Sequence, residues 1–252
     1  MLERLVASPC SNPALSLEEA LAAYAEIGFR KFEAFTSWCK SALNIDGDPD
    51  AYRNGAERHG LRFVSMHLPP VGDGFAASLD RAIQGAKFAE RIGAAIVLFK
   101  ATSRENYIRA ARPFLDAIAG VSVTPVLQNH AGTPITSLED FREVIEGIND
   151  RRMKTLLEVG HFHKVGVHWK EGYDLLGESI ALVHIKDQIG PQPVPFGTGE
   201  IDLPGLFRHM RSVGYAGDYV VEMEVKDKEN TLRYLAEAID YVATHCQEET
   251  RE

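Results

Sequence analysis

The sequence predicts a single (β/α)₈ barrel, an α/β fold, on three observations. Its 252 residues match the usual length of one such barrel. Eight short β-branched or aromatic runs alternate with segments of helical periodicity, which implies a parallel sheet. The ends of those runs are polar, as they are where a barrel gathers its functional side chains. The predicted strands are Leu2–Ala7, Lys31–Phe35, Leu61–His67, Ala95–Lys100, Thr124–His130, Lys154–Val159, Ile180–Lys186 and Tyr219–Glu224. Between them run apolar stripes, one of Leu17, Leu21, Tyr24 and Ile27 and another of Leu79, Ile83, Ala86 and Ile92. Leu232, Leu235, Ile239 and Val242 form the last. Ser16 with Glu19 and Ser137 with Asp140 have capping-box spacing, and Asp48-Pro49 places proline at a first helical position. Glycines follow the stripes at Ile27-Gly28, Ile92-Gly93 and Val213-Gly214. Neither linker nor low-complexity tract divides the chain, so residues 1–252 are read as one domain. The competing doubly wound sheet lacks its G-x-G-x-x-G after an early strand.

Composition narrows the function classes. The 27 basic and 36 acidic residues give a net charge of -9 with no basic run, which disfavours nucleic acid and anionic membrane surfaces as partners. No apolar stretch reaches membrane-spanning length. The N-terminus reads as a first strand and not as a signal peptide. Cys10, Cys39 and Cys246 lack metal-type spacing and are expected as buried, reduced thiols in the cytoplasm.

The strand ends carry the chemistry. They offer Glu33, His67, Lys100, Gln128 with His130, Glu158, His184 with Lys186, and Glu222 with Glu224. Gln128, Glu158, His184 and Glu222 end four successive predicted strands at separations of 30, 26 and 38 residues. About 31 residues make one βα unit of such a barrel, so closure brings the four together around its axis. Two or three oxygens and one imidazole suit one divalent ion, Mn²⁺, Mg²⁺, Co²⁺ or Zn²⁺. Spacing alone fits equally a layer of paired polar residues plugging the barrel mouth.

A series of motifs settles on one family. Gly28-Phe29-Arg30-Lys31-Phe32-Glu33, Leu127-Gln128-Asn129-His130, Glu158-Val159-Gly160-His161 and Val183-His184-Ile185-Lys186-Asp187 occur in its order. Phe196-Gly197-Thr198-Gly199-Glu200-Ile201-Asp202, Gly214-Tyr215-Ala216-Gly217 and Val221-Glu222 complete the series. Over essentially its whole length the chain resembles the xylose-isomerase-like barrels, the sugar phosphate isomerases and epimerases related to endonuclease IV. The resemblance implies one metal ion held after strands 5 to 8, here by Gln128, Glu158, His184 and Glu222. Glu158 stands where Asp is usual and Gln128 where Glu is usual. A glutamine oxygen can still ligate a hard cation, but it brings no charge and cannot act as a base. His161 matches the family histidine that contacts substrate.

These readings lead to a metal-dependent isomerase or epimerase acting on a polyhydroxy carbonyl compound through an enediolate. Glu222, His130 and His161 are the candidate proton-transfer groups, since two acid–base groups are needed to invert a carbon and Gln128 supplies none. Glu33, His67, Lys100, Lys186 and Phe196 are the candidate substrate contacts. Phe35, Trp38 and Phe196 could wall an apolar side of the pocket, with core packing the default for each, and both lysines stand equally well as salt-bridge partners. A lyase or dehydratase on the same scaffold and a sugar-binding barrel without catalysis are the alternatives; homo-oligomerisation is left open. A repair nuclease is disfavoured, because it needs more zinc ligands and a basic DNA-facing surface.

Overall fold

The computed structural model describes residues 1–247. Eight parallel strands close into a barrel: β1 (Leu5–Ala7), β2 (Lys31–Ala34), β3 (Arg62–His67), β4 (Ile96–Leu98), β5 (Thr124–Gln128), β6 (Lys154–Glu158), β7 (Ile180–Ile185) and β10 (Asp218–Val221). Each pairs with its sequence neighbours, and β1 closes the ring against β10 through Leu5↔Tyr219 and Ala7↔Val221. Around the barrel pack α1 (Leu17–Glu26), α2 (Pro49–Arg58), α3 (Phe75–Ile92), α4 (Arg104–Ala117), α5 (Leu138–Ile148), α6 (Val159–Lys164), α7 (Trp169–Leu176), α8 (Leu203–Ser212) and α9 (Thr231–Gln247). The capping boxes at Ser16/Glu19 and Ser137/Asp140 are both formed, and Asp48 caps α2 ahead of Pro49. A third box, His168 with Glu171, starts α7 with an imidazole as the capping acceptor, a choice outside the usual Ser, Thr, Asp and Asn signals.

All eight expected strands are present, with shorter ends. Leu2–Arg4 is a 3₁₀ turn, and Glu222 and Glu224 lie just beyond β10. An antiparallel hairpin, β8 (Asp187–Ile189) and β9 (Gln192–Val194), was not expected between β7 and α8. Pro191 and Pro193 argue against strands in that stretch, and both are tolerated because the two-stranded ribbon is all edge. Cys10 and Cys39 are buried free thiols as expected, but Cys246 is only half-buried, since it falls in the last turns of α9.

Two apolar layers result. The larger lies between the outer face of the strands and the helices, and includes Leu21, Tyr24, Phe32, Phe63, Ala86, Leu235 and Val242. The smaller fills the barrel interior with Val6, Val64, Leu98, Val126, Leu156, Leu182 and Val220. Strand side chains alternate with period two, so where a strand is regular the residue two beyond an interior one also points inward, one level higher. From Val126, Leu156, Leu182 and Val220 that step reaches Gln128, Glu158, His184 and Glu222. The core therefore serves as the floor of the site.

Candidate active site

Glu158, His184 and Glu222 meet at the C-terminal mouth. The register sets Glu158 opposite His184 and Val220 opposite His184, and the Glu222 amide donates to the Ile185 carbonyl at 3.0 Å. His184 is fully buried, with Nδ1 3.1 Å from Glu222 Oε1 and 3.3 Å from Glu158 Oε2. Its Nε2 lies 3.2 Å from Glu33 Oε2. Glu33 is also fully buried, and Ser8 (3.4 Å), Ser65 (2.8 Å) and His67 Nε2 (3.1 Å) face its carboxylate.

A β-bulge makes that convergence. Between β2 and β3 the pairing moves from Phe32↔Phe63 to Glu33↔Ser65, so β3 spends one extra residue at Val64. The slip leaves Val64 in the barrel interior while Ser65 and His67 both reach Glu33. Glu33, expected as a substrate contact, is thus walled in behind two histidines, where it holds their rings. His67 stacks on Phe35 with centroids 3.9 Å apart, and its Nδ1 lies 2.6 Å from Lys100 Nζ.

The end of β6 is tied on two sides. Asn129 accepts from the Glu158 amide at 3.0 Å and donates to the Glu158 carbonyl at 2.9 Å, clamping β5 to β6. Glu158 then caps α6, with Oε1 accepting from the Gly160 amide at 2.9 Å. Its Oε2 has no hydrogen-bond partner among the described residues; His184 Nδ1 is near enough for an ion pair but not aligned for a hydrogen bond. Gln128 ends β5, 8% exposed, and its amide makes no hydrogen bond to another described residue. Sequence reasoning passed over the clamp; an Asn between two inward residues, facing the neighbouring strand, is the signal for it.

Lys186 enters the same cluster. Its ammonium contacts Glu222 Oε2, lies 3.1 Å from Glu224 Oε2 and 3.9 Å from Glu158 Oε2. Of the two readings made for Lys186, the salt bridge is the one present, and its partners include two candidate ligands, Glu158 and Glu222. Above it, His130 and His161 stack with ring centroids 3.7 Å apart. His130 is exposed, and its Nδ1 lies 3.0 Å from the Ala131 carbonyl, so that nitrogen carries the proton and Nε2 is left free. His161 Nδ1 is buried with no hydrogen-bond partner among the described residues.

Asp187 governs the rim. Its carboxylate accepts from the amides of Gln188 (2.9 Å), Gly197 (2.9 Å), Gly199 (2.9 Å) and Ile201 (3.3 Å), folding 195–202 back over the hairpin. A Cβ at position 199 would lie 2.1 Å from Asp187 Oδ1, so only glycine permits this wrap. Phe196, expected against substrate, is buried on this loop with its ring edge-on to Tyr241 at 6.0 Å, a packing role.

The electrostatics divide the groups. Burial alone would raise the Glu222 carboxyl, but Lys186 and His184 hold it well below the usual carboxylate range. Burial raises Glu158 to about 7 against the pull of Lys186. Burial would lower His184, yet Glu33 and Glu222 hold it well above the ordinary imidazole value. Burial and the Lys100 charge lower His67 to about 4, and burial with Lys186 lowers His161 to about 2, so both are neutral rings. Burial lowers Lys100 to about 8.

Three groups of side chains in this region have ligand atoms within 4.8 Å of one another. In Glu33–His67–His184 the carboxylate is already engaged by both rings. In Cys10–Glu222–Glu224 burial and the two glutamates push the thiol well up, so it stays protonated. Glu158–His184–Glu222 remains. It presents an unpartnered carboxylate oxygen and an imidazole Nδ1 whose other nitrogen is backed by a carboxylate, the arrangement that orients metal-ligating histidines. Carboxylate and imidazole donors at this spacing fit a divalent cation.

A family profile described as "Xylose isomerase-like TIM barrel" matches residues 21–245. The chain belongs to that family. A segment of 65 residues is 37% identical to the L-ribulose-5-phosphate 3-epimerase UlaE of Salmonella paratyphi C, covering 25% of this chain and 23% of the epimerase. The chain thus aligns with about a quarter of that curated relative. Among solved structures, the IOLI protein with a bound zinc atom superposes with a TM-score of 0.79 at 15% identity, over 96% of this chain and 99% of that one. A xylose isomerase-like TIM barrel protein from Mycobacterium smegmatis in complex with magnesium gives 0.76 at 17% identity, over 96% of each chain. These structures share the barrel with this chain.

Proposed function

We propose that the protein is an isomerase or epimerase of a sugar or sugar-derived carbonyl compound, dependent on one divalent ion and proceeding through an enediolate. The observation that supports it is the meeting of Glu158, His184 and Glu222 at the barrel mouth, with Glu33 fixing His184 from behind. Those three residues would hold the ion, with the Gln128 oxygen as a fourth, neutral donor. A bound ion would polarise adjacent carbonyl and hydroxyl oxygens of the substrate and acidify the α-proton. Glu222 is the base: it is ionised, it sits at the mouth, and Lys186 and His184 stabilise its charge. His130 carries the second proton transfer through its free Nε2, because burial lowers its pKa less severely than that of His161. His161, a neutral ring, offers a hydrogen bond to a substrate hydroxyl. Lys100, whose Nζ lies 2.6 Å from His67 Nδ1, is the proposed cationic contact to a substrate oxygen. With glutamine at position 128, Glu222 has no carboxylate partner at the end of β5 to exchange the proton with, which favours a one-base isomerisation or a histidine-assisted epimerisation.

Turnover of free and phosphorylated ketoses in deuterated water with Mn²⁺ tests this reading. A substrate should take up deuterium at the carbon next to its carbonyl. Turnover that never labels that carbon would remove the enediolate.

Lys100 supplies a pH signature. Held down to about 8 by burial, it loses its charge in the folded protein well before an unfolded lysine would, near ~10.4. KM should therefore rise above pH about 8 as the ammonium contact to substrate oxygen disappears. Lys100→Met should show at neutral pH the KM that the parent reaches near pH ~9.5, with no further rise; an unchanged KM would place Lys100 outside the binding surface. By linkage the unfolded chain binds the extra proton between about 8 and ~10.4, so this group adds stability as pH climbs through that window.

No helix among the described residues is long and apolar enough to cross a membrane. A cytoplasmic location, with Cys10, Cys39 and Cys246 reduced, and a small hydroxyl-rich molecule as the partner belong to the same proposal.

A further inference from the structure

We propose that Lys186 is a resident counter-cation of the metal centre: its ammonium shares Glu222 and Glu158 with the divalent ion, holds these carboxylates together when no ion is bound, and competes with the ion for them. The inference rests on the reading of Glu158, His184 and Glu222 as metal ligands. Lys186 is 1% exposed, and every carboxylate it faces belongs to this cluster: Glu222, Glu224 at 3.1 Å and Glu158 at 3.9 Å. The two oxygens of Glu222 are divided, Oε1 facing His184 Nδ1 and Oε2 facing Lys186.

The path of the lysine is built into the backbone. A Cβ at position 160 would lie 2.3 Å from Lys186 Cγ and 2.4 Å from Cδ, closer than two carbons can approach, so only glycine lets the stem through. The amide of that same glycine holds Glu158 Oε1. One residue thus both fixes a candidate ligand and admits the competing cation.

Charge balance explains why a lysine belongs there. Glu33, Glu158 and Glu222 are buried within one shell of contacts around His184. Carboxylates crowded this way without a cation protonate or spread apart, and the ligand set is lost. An ammonium between Glu222 and Glu158 offsets their repulsion and holds the oxygens close. Once a divalent ion arrives, the same ammonium repels it at short range and already occupies one oxygen of its ligand. Gln128 acts in the same direction by adding no charge. The centre is therefore preformed and its ion exchangeable.

The test is Mn²⁺ binding to the full chain, followed by the electron paramagnetic resonance of the free ion, for the parent, Lys186→Met and Lys186→Gln. Both variants should bind at least about tenfold more tightly, the scale of one unit charge removed beside a divalent ion. Their melting temperatures should rise more on adding Mn²⁺ than that of the parent, because binding then supplies what the ammonium supplied. A parent that binds Mn²⁺ and variants that bind equally or more weakly would overturn the competition and leave the metal site standing. Binding by the variants but not by the parent would support the competition and overturn metal dependence of the parent. No binding by any of the three would overturn both. If Lys186→Met does not fold alone, recovery on refolding with Mn²⁺ supports the proposal; failure of both variants to recover contradicts it.

Discussion

Glu222→Gln is expected to lower turnover at least ~10²-fold at saturating metal and to abolish deuterium uptake next to the substrate carbonyl. The substitution keeps shape and an oxygen donor while removing the charge that accepts the proton. Because Glu222 is also a candidate ligand, its loss should weaken metal binding as well, and saturating ion separates the two effects. The environment makes this carboxylate a base: Lys186 and His184 hold it ionised despite burial. Burial raises Glu158 to about 7 and its Oε1 accepts from the Gly160 amide, so Glu222 is the carboxylate held ionised. His130→Ala should cost a similar factor if its imidazole moves the second proton. Full turnover of Glu222→Gln at saturating metal would remove Glu222 from the chemistry.

Glu33→Gln should produce the second large effect, on affinity and on stability together. The fully buried Glu33 carboxylate faces His184, His67, Ser65 and Ser8, so an amide there presents a donor to a donor. Disturbing the group that orients a ligating imidazole typically costs 10–100-fold in metal affinity, and about that loss is expected here. Removing one partner of a buried charged contact costs about 3–5 kcal/mol, which urea unfolding monitored by fluorescence would register. Burial would raise Glu33, but His184 and His67 hold it well below the usual range. A depressed carboxylate contributes stability that is full above its unfolded pKa, declines as pH falls below it and is gone below the lower, folded one. The parent should therefore hold this contribution in full down to about the unfolded carboxylate pKa and lose it progressively in stronger acid, and Glu33→Gln should lack it throughout. An unchanged midpoint and an unchanged affinity would contradict the positioning role.

Much of this architecture could be read from the sequence because local signals agree with the global fold. The period-two strands, the period-3.6 stripes and the caps at Ser16, Asp48 and Ser137 each name an element without knowledge of its neighbours. The spacing of Glu158, His184 and Glu222 was legible for the same reason, since βα units repeat and strand ends are where a barrel collects function. What escaped depends on contacts no local pattern encodes. Glu33 lies within β2, and only the bulge at Val64 turns Ser65 and His67 onto it. The hairpin of β8 and β9 hid behind Pro191 and Pro193. The passage of Lys186 over Gly160 joins residues 26 apart, and neither is unusual in its own stretch. Phe196 could be read as a pocket wall or, by default, as core; which of the two it faces depends on the loop that Asp187 holds, where its ring lies edge-on to Tyr241.

Glu158, His184 and Glu222 are proposed to form a divalent metal site. Metal content of the purified chain, by mass spectrometry after equilibration with Mn²⁺ or Zn²⁺ and removal of free ion, tests it most directly. About one ion per chain is expected for the parent, and none for His184→Ala under the same treatment. A parent that holds no ion at any concentration of either metal, or a His184→Ala variant that keeps a full equivalent, would contradict it.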